Sequence, residues 1–146
     1  MLIESILPRA RERLVTIDTG TPIRDAARRM AKPHVDILVV CEDGAMIGVV
    51  TKTNIVALVG RSLGPGLADP VDAVMVRDVA HCRTTDPLID IWEVMKERGF
   101  QRIPVVAGGN IPIGVVYTRD VLQGLLCDAR IEDELLREYI NGVGYH

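Results

Sequence analysis

The same sequence pattern occurs twice in this chain, which restricts the fold to two similar units in tandem. TPIRDAARRM at residues 21–30 matches DPLIDIWEVM at 86–95, an offset of 65 positions. DILVV at 36–40 matches RIPVV at 102–106, and IGVVTKTNI at 47–55 matches IGVVYTRDV at 113–121, both at an offset of 66. The change in offset predicts one extra residue between the helix and the strand of the second copy. Two such units are expected to pack about a pseudo-twofold axis.

Each copy is predicted to fold as β-α-β-β-α. Thr21-Pro22 and Asp86-Pro87 are good helix starts, because a side-chain oxygen can cap free N–H groups and proline suits the first turn. Apolar residues then recur at helical spacing, which predicts a helix with one face on a core. The predicted strands and helices are at residues 14–17, 36–41, 46–51 and 54–59 in the first copy, and at 79–82, 102–107, 111–117 and 120–127 in the second.

The fold class is therefore α/β (α+β), with two repeats and a C-terminal helix. The first repeat is predicted at residues 1–61, including an N-terminal lead-in helix, and the second at 74–127. A Gly- and Pro-rich linker at 62–73 separates them. Residues 128–146 form a helical extension, with a separate helix predicted at 131–140 that ends at Asn141-Gly142.

Composition excludes several classes of function. Of the 146 residues only 3% are aromatic, and the net charge is −3, which disfavours nucleic-acid binding. We read the basic run Arg9, Arg11 and Arg13 as a solvated helix face. No apolar run reaches the roughly 20 residues that span a bilayer, so no membrane association is expected.

The cysteines and histidines show no metal-ligand spacing, so no metal is expected. Cys41, Cys82 and Cys127 lack a CxxC pair, which favours buried thiols in the reducing cytoplasm. The sequence contains no Ser/His/Asp or Cys/His arrangement and no paired carboxylates, so the chain is not expected to be an enzyme.

The doubled pattern, with its RIPVV strand and GVV-T-type segments, resembles a tandem pair of CBS domains, also called a Bateman module. The resemblance covers about residues 2–127. It implies two pseudo-equivalent clefts between the units, frequent assembly into a disc-shaped dimer, and regulation by adenosine-containing ligands such as AMP, ADP, ATP, S-adenosylmethionine or NAD. It implies no obligatory cofactor.

The resemblance also implies the site residues. The family's ligand segment is Gly, two apolar residues, Ser/Thr, two variable residues and an Asp that holds the ribose hydroxyls. The second copy keeps the acid, at Asp120. The expected primary cleft comprises Tyr117, Thr118, Arg119 and Asp120, completed by Thr21, Ala26 and Met46 from the first copy. Here Arg119 could contact phosphate, and Tyr117 could either line the pocket or plug it.

The first copy keeps the hydroxyl instead of the acid. Its weaker, secondary cleft comprises Thr51, Lys52, Thr53 and Asn54. A carboxylate can accept from both ribose hydroxyls, whereas an amide offers only one acceptor. Asn54 is therefore expected to act mainly as a helix cap.

Two functions follow as expectations. The first is a stand-alone regulatory module that binds an adenosine-containing ligand, forms a homodimer and acts on an unknown protein effector. The alternative is a ligand-free scaffolding module, in which side chains such as Tyr117 fill the clefts. The primary cleft at Asp120 lies at the second copy and is called the second cleft below. For it, the alternative that Asp120 acts only as a helix cap, without a ligand, also stays open.

Overall fold

The fold is taken from a computed structural model that describes residues 1–61 and 66–144. The helices are α1 (Leu7–Arg13), α2 (Ile23–Met30), α3 (Lys52–Val59), α4 (Leu88–Arg98) and α5 (Thr118–Gly144). The strands are β1 (Thr16–Asp18), β2 (Ile37–Glu42), β3 (Ala45–Thr51), β4 (Arg102–Ala107) and β5 (Ile111–Tyr117). Short 3₁₀ helices occupy Ile3–Ile6 and Val71–Ala73. The predicted α/β class with two repeats is confirmed.

Each copy builds its own small sheet. In the first, β1 runs parallel to β2, and β2 pairs antiparallel with β3; in the second, β4 pairs antiparallel with β5. One face of each sheet packs against helices of its unit, with Leu38 and Val40 in the first core and Ile103 and Val105 in the second. The other faces meet in a central cluster that includes Val39 and Val115. Residues of this central cluster border the two candidate clefts, Ile37 and Val49 at one and Tyr117 at the other.

The predicted opening strand at 79–82 is not a strand in the structure. Cys82 makes one isolated parallel bridge to Val105, through hydrogen bonds between Cys82 N and Pro104 O and between Val106 N and Cys82 O. The second sheet therefore has two strands where the first has three. The segment nevertheless follows the path of β1, because Cys82 is buried in the second core as Ile17 is in the first.

The extra residue of the second copy lies in the hairpin, and the prediction that it lies between helix and strand is wrong. Ile37 is opposite Thr51, and Arg102 is opposite Tyr117. The offset is thus 65 between β2 and β4 but 66 between β3 and β5. The first hairpin turns through two residues, Asp43 and Gly44, both with positive φ. The second turns through three, Gly108 to Asn110, which accounts for the insertion.

The two units exchange segments that precede them in the chain. Ile3 and Ala10, from the lead-in segment, are buried in the core of the second unit, while Val71 and Met75 are buried in the core of the first. Glycines permit both approaches. A Cβ at Gly114 would lie 2.9 Å from Ala10 Cβ, and one at Gly48 would lie 2.8 Å from Met75 Sδ. The lead-in helix, placed with the first repeat by sequence, therefore packs on the second.

The C-terminal region is one helix, and the prediction of a separate helix at 131–140 is wrong. The helix α5 runs from Thr118 to Gly144 without interruption and continues through Asn141-Gly142. The residues between the two predicted helices, Asp128 to Arg130, include no glycine or proline and can remain helical. Residues 62–65 of the predicted linker, and 145–146 of the extension, lie outside the described part of the chain.

Two smaller predictions are also corrected. The helices α2 and α4 begin after Pro22 and Pro87, which occupy the N-cap position without any side-chain cap from Thr21 or Asp86. Cys127, expected to be a buried thiol, is exposed, whereas Cys41 and Cys82 are buried. Cys127 lies on a turn of α5 that the second core does not cover.

Candidate functional site

Asp120 is buried in a two-armed contact with an arginine from the lead-in helix. Only 4% of Asp120 is exposed. Arg13 donates from Nε to Oδ2 at 2.5 Å and from Nη2 to Oδ1 at 3.0 Å, and Arg9 Nε lies 4.0 Å from Oδ1. The hydrogen bond to Asp120 raises the pKa of Arg13 despite partial burial. Forked pairs of this kind are strong and directional, so the acid of the second cleft is already occupied.

The aromatic ring of Tyr117 lies between two guanidinium groups. Arg13 Cζ lies 4.2 Å from the ring centroid and Arg102 Cζ lies 5.0 Å from it. Tyr117 is only 5% exposed, and its hydroxyl oxygen has no hydrogen-bond partner among the described residues. Cation–π contacts hold the ring, which fills the space where the first copy has Thr51.

Arg102 connects this stack to the first copy. Asp36 forms ion pairs with two basic side chains. Its Oδ1 lies 2.9 Å from Lys52 Nζ, and its Oδ2 lies 3.3 Å from Arg102 Nη2. The hydrogen bond from Lys52 and the nearby Arg102 charge lower the pKa of Asp36. Lys52, predicted as a possible phosphate contact of the secondary cleft, is thus engaged by an acid of its own unit.

Three small cavities lie around the second cleft. Asp120 lines one of about 350 Å³, together with Arg9 and residues of the lead-in segment. Another, of about 300 Å³, is lined by Arg9, Glu12, Arg13, His34 and Arg119. The third, of about 310 Å³, is lined by Gln101, Arg102, Tyr117, Thr118 and Arg119. Arg119 lines the last two, and the Arg13–Tyr117 stack contributes one residue to each of them.

The largest of the described cavities lies at the secondary cleft, which belongs to the first copy and is called the first cleft below. It has a volume of about 420 Å³. Thr51 and Thr53 line it, together with Asp78 and Arg102. Its apolar walls come from both units and include Ile37, Val49, Val79, Phe100 and Pro104. The cavity therefore combines an apolar wall, hydroxyl groups, one carboxylate and one guanidinium.

Asn54 faces its own helix start. Thr51 N donates to Asn54 Oδ1 at 2.9 Å, and Asn54 N donates to Thr51 Oγ1 at 3.4 Å, which forms a capping box at the start of α3. The prediction that Asn54 acts as a cap is confirmed. Thr53, one residue earlier, is exposed and lines the open cavity.

Repeat equivalence explains why one cleft is open and the other closed. Arg13 and Asp78 are 65 positions apart, Tyr117 and Thr51 are 66 apart, and so are Asp120 and Asn54. The second cleft thus holds a cation, an anion and a large ring at these three positions. The first holds an anion, an amide and a small hydroxyl side chain. The amide and the hydroxyl hydrogen-bond to each other at the start of α3, and these small groups leave the space open.

Three residues predicted to complete the Asp120 cleft are not brought to it. Ala26 is fully buried in the core of the first unit, and Met46 is buried in the central cluster, where its carbonyl accepts from Asn110 Nδ2 at 2.6 Å. Thr21 lies beside the start of α2, with its carbonyl bonded to Val71 N. None of them is among the residues lining the cavities at Arg119 and Asp120.

Sequence reasoning missed the residues contributed by the lead-in segments. The predicted solvated face of the basic run is wrong for Arg13, whose side chain is only 12% exposed. Asp78, its counterpart, was not singled out. Their position in the repeat could have indicated them: Arg13 lies three residues before β1 and Asp78 four residues before the bridge at Cys82. The segment exchange therefore carries both to the clefts.

The chain matches the family model described as "CBS domain" twice, at residues 3–61 and 71–126. The chain belongs to the CBS-domain family. A protein of Acidianus ambivalens, named as an uncharacterized 17.7 kDa protein, is 23% identical to this CBS protein over 136 residues, which cover 92% of this chain and 81% of the relative. The chain spans less than half of the length of five other curated relatives.

Solved CBS-domain pairs have the same fold. The pair of protein MJ0100, in complex with 5′-methylthioadenosine and S-adenosyl-L-methionine, superimposes with a TM-score of 0.74 at 18% identity, covering 88% of this chain and 98% of that one. CBSX2 in complex with AMP gives 0.74 at 21% identity, with the same coverage. At these identities the likeness establishes the fold of this CBS pair.

Within residues 1–61 and 66–144, this CBS pair has no helix of the length and apolar character needed to cross a bilayer. The same residues place no three His, Cys, Asp or Glu side chains together as a metal site.

Proposed function

We propose that this CBS pair is a regulatory module that binds an adenosine-containing ligand in the open cavity at Thr51 and Thr53. The observation that carries the proposal is the cavity itself: about 420 Å³, lined by residues from both units. Pockets for small ligands have volumes of roughly 300–1,000 Å³ and combine apolar walls with a few polar groups. Structural neighbours in complex with AMP, or with 5′-methylthioadenosine and S-adenosyl-L-methionine, support the class of ligand.

The lining residues suit the parts of such a ligand. Phe100 and Val79 provide an apolar wall for adenine. Thr53 and Asp78 carry oxygens that can accept from ribose hydroxyls, and hydrogen bonds to a charged group contribute about 1.5–3 kcal/mol each. Arg102, which lines the cavity while its Nη2 contacts Asp36 at 3.3 Å, adds a positive charge that would attract a phosphate. The proposed acid is therefore Asp78, in the role that the family resemblance implies for Asp120.

A ligand in this cavity would contact both units at once. Val49 and Thr51 belong to the first sheet, and Arg102 and Pro104 to the second. A ligand shifts a conformational equilibrium only as far as its affinities for the two states differ. We propose that binding changes the packing of the two sheets, and that a protein effector or the chain's own assembly responds.

We also propose that the module forms a homodimer through the apolar sides of α3 and α5. Val56 and Val59 are 69% and 74% exposed, and Leu126 is 61% exposed. Large apolar side chains grouped on helices often mark protein interfaces. Light scattering at micromolar concentration is expected to give twice the 16.0 kDa mass of the chain; a monomer mass would contradict the dimer.

A thermal-shift titration with AMP, ADP, ATP, NAD and S-adenosylmethionine tests the proposed site. At 100 times its dissociation constant, a ligand adds about 2.7 kcal/mol to the free energy of unfolding. We expect one of these ligands to raise the melting temperature of the wild-type protein, and Asp78→Asn to lose most of that shift. Asp72→Asn, an exposed acid that lines none of the described cavities, is the matched control.

The ligand-free scaffold remains the second candidate, and one observation favours it. Tyr117 is buried where the first copy has Thr51, so a side chain fills one of the two clefts. Absence of any shift with all five ligands, in protein that melts cooperatively, would contradict the sensor and support the scaffold. A shift that Asp78→Asn leaves intact would place the ligand elsewhere.

A further inference from the structure

We propose that the end of α5 beyond the second core, residues 129–144, pairs antiparallel with the same segment of a second copy of the chain. This segment is called the α5 extension below. The family model matches only as far as residue 126, so the α5 extension lies outside the two CBS repeats. The proposal rests on the homodimer proposed above, and it adds a contact that the repeats do not contain.

The α5 extension projects from the module. The helix α5 runs from Thr118 to Gly144, and at 1.5 Å per residue it is about 40 Å long. Among the side chains that the structure describes, the last on α5 to pack against the second core is Leu125. Helical segments without tertiary packing are only marginally stable in water at this length. The α5 extension is therefore expected to pack against another helix.

A stripe along α5 has the spacing of a coiled coil. Its positions recur at alternating intervals of four and three residues, the pattern of core positions in a heptad repeat. They are Leu122, Leu126, Ala129, Asp133, Leu136, Ile140 and Val143. The four from Leu126 to Leu136 are exposed in a single chain, Leu136 to 57%. An exposed stripe of this kind is typical of a helix that pairs with a second helix.

The acid in the stripe determines how two copies would pair. A parallel pair would place the two Asp133 side chains opposite each other, and contact between like charges is unfavourable. An antiparallel pair centred at position 131 places Leu126 of each copy opposite Leu136 of the other, and Asp133 opposite Ala129. The small side chain of Ala129 leaves room for the carboxylate.

Charges beside the stripe complement that carboxylate. Arg137 Nη2 lies 3.2 Å from Asp133 Oδ2 in the same helix. In the antiparallel pair, Arg130 of the second copy would lie beside the same carboxylate, because it is next to Ala129 in the chain. Asp133 would then have a basic partner from each copy, and the twofold axis would repeat the contact. This reciprocal match of acid and base favours a second copy as the occupant of the stripe.

Sedimentation equilibrium of the full chain tests the pairing. Leu136→Glu places a charge in the stripe, and this exposed position should accept it without loss of the fold. We expect the dissociation constant of the dimer to rise at least about tenfold, because an unpaired charge is costly in an apolar contact. Cys127→Glu adds the same charge at an exposed position of α5 off the stripe and should leave the constant unchanged.

Disulfide cross-linking tests the orientation. In a Cys127→Ser background, chains with Ala129→Cys are mixed with chains with Asp133→Cys and oxidised. We expect the mixed disulfide to form faster than either self-disulfide, because these two positions face each other only in the antiparallel pair. Cys41 and Cys82 are buried and should not react.

The outcomes separate this pairing from the proposed contact at α3. A dimer that Leu136→Glu leaves intact overturns the pairing of the α5 extension and leaves the α3 contact standing. A dimer that Leu136→Glu weakens, but Val56→Glu does not, supports the extension and overturns the α3 contact. Faster self-linking by Asp133→Cys overturns the antiparallel arrangement. A wild-type monomer overturns both contacts and would leave the stripe to a helix of another protein.

Discussion

Arg13 and Asp120 are 107 positions apart in the chain, yet two hydrogen bonds join them in the interior between α1 and α5. Removing one partner of a buried ion pair typically costs about 3–5 kcal/mol, because the other charge stays buried and unpaired. We expect Arg13→Met to lower the free energy of unfolding by about that amount in urea denaturation. The double variant Arg13→Met/Asp120→Leu should recover much of the loss, since it leaves no orphaned charge. Equal losses in the single and double variants would contradict this account.

Gly114 permits the close approach of α1 to β5, and a methyl group there should disturb it. A Cβ at Gly114 would lie 2.9–3.1 Å from three atoms of Ala10, two of them backbone atoms that cannot rotate away. Overpacking of this kind costs about 1–3 kcal/mol. We expect Gly114→Ala to lower stability by that amount and to increase hydrogen exchange in α1. Gly108→Ala, where nothing lies within 4 Å, is the control; an equal effect at both sites would refute the close-approach argument.

The three cysteines should differ in reactivity. Burial raises the pKa of Cys82 to about 12 and also raises that of Cys41, whereas Cys127 is exposed. Thiolate is the reactive form. With Ellman's reagent at pH 8, we expect one thiol per chain to react quickly in the folded protein and all three in denaturant. Cys127→Ser should abolish the fast reaction; a fast reaction that persists would show that Cys41 or Cys82 is accessible.

Asp36 should make stability depend on pH in the acid range. Lys52 and Arg102 lower its pKa below the ordinary 3.8, so the unfolded chain binds a proton more readily than the folded one. The stabilisation is therefore complete above about pH 3.8 and disappears as the pH falls through the folded-state pKa. We expect Asp36→Asn to be less stable than wild type by up to about 1 kcal/mol at pH 7.

The free energies of unfolding of wild type and Asp36→Asn should become equal at low pH. Urea denaturation at several values between pH 6 and pH 2.5 measures the difference directly. A difference that stays constant over that range would mean that Asp36 contributes through packing and not through its charge. Glu93→Gln, in an exposed pair with Lys96, controls for the general effect of removing an acid.

Most helices and strands could be predicted from the sequence because each has a local signal, but the strand expected at 79–82 and the separate helix expected at 131–140 are not formed. The predicted strand at 102–107 coincides with the observed β4, and the predicted strand at 111–117 coincides with the observed β5. The position of the inserted residue was harder to predict. DILVV and RIPVV share two valines, and aligning these valines shifts each segment by one residue from its structural equivalent. Only the pairing of Arg102 with Tyr117 corrects it, and pairing across a hairpin is not a local property.

The candidate site was harder to predict for a similar reason. Thr51, Thr53, Tyr117 and Asp120 were found from the repeated segment. Their environment depends on Arg13 and Asp78, which arrive from the stretches before each opening strand. The amino-acid sequence shows that Arg13 is basic, but its burial depends on which unit the lead-in helix joins. That choice rests on contacts such as Ala10 against Gly114.

The exchange of lead-in segments means that the repeating stretch of sequence and the folded half of the molecule are not the same piece of chain. If the backbone were cut between Arg61 and Gly66, each fragment would carry the lead-in segment that packs into the core of the other fragment. Each would lack the segment that packs into its own core. Neither fragment could finish folding in isolation, and mixing the two should restore the fold. Tandem copies joined in this way are mutually dependent, which explains how each of two small sheets can remain folded with a core it does not complete by itself.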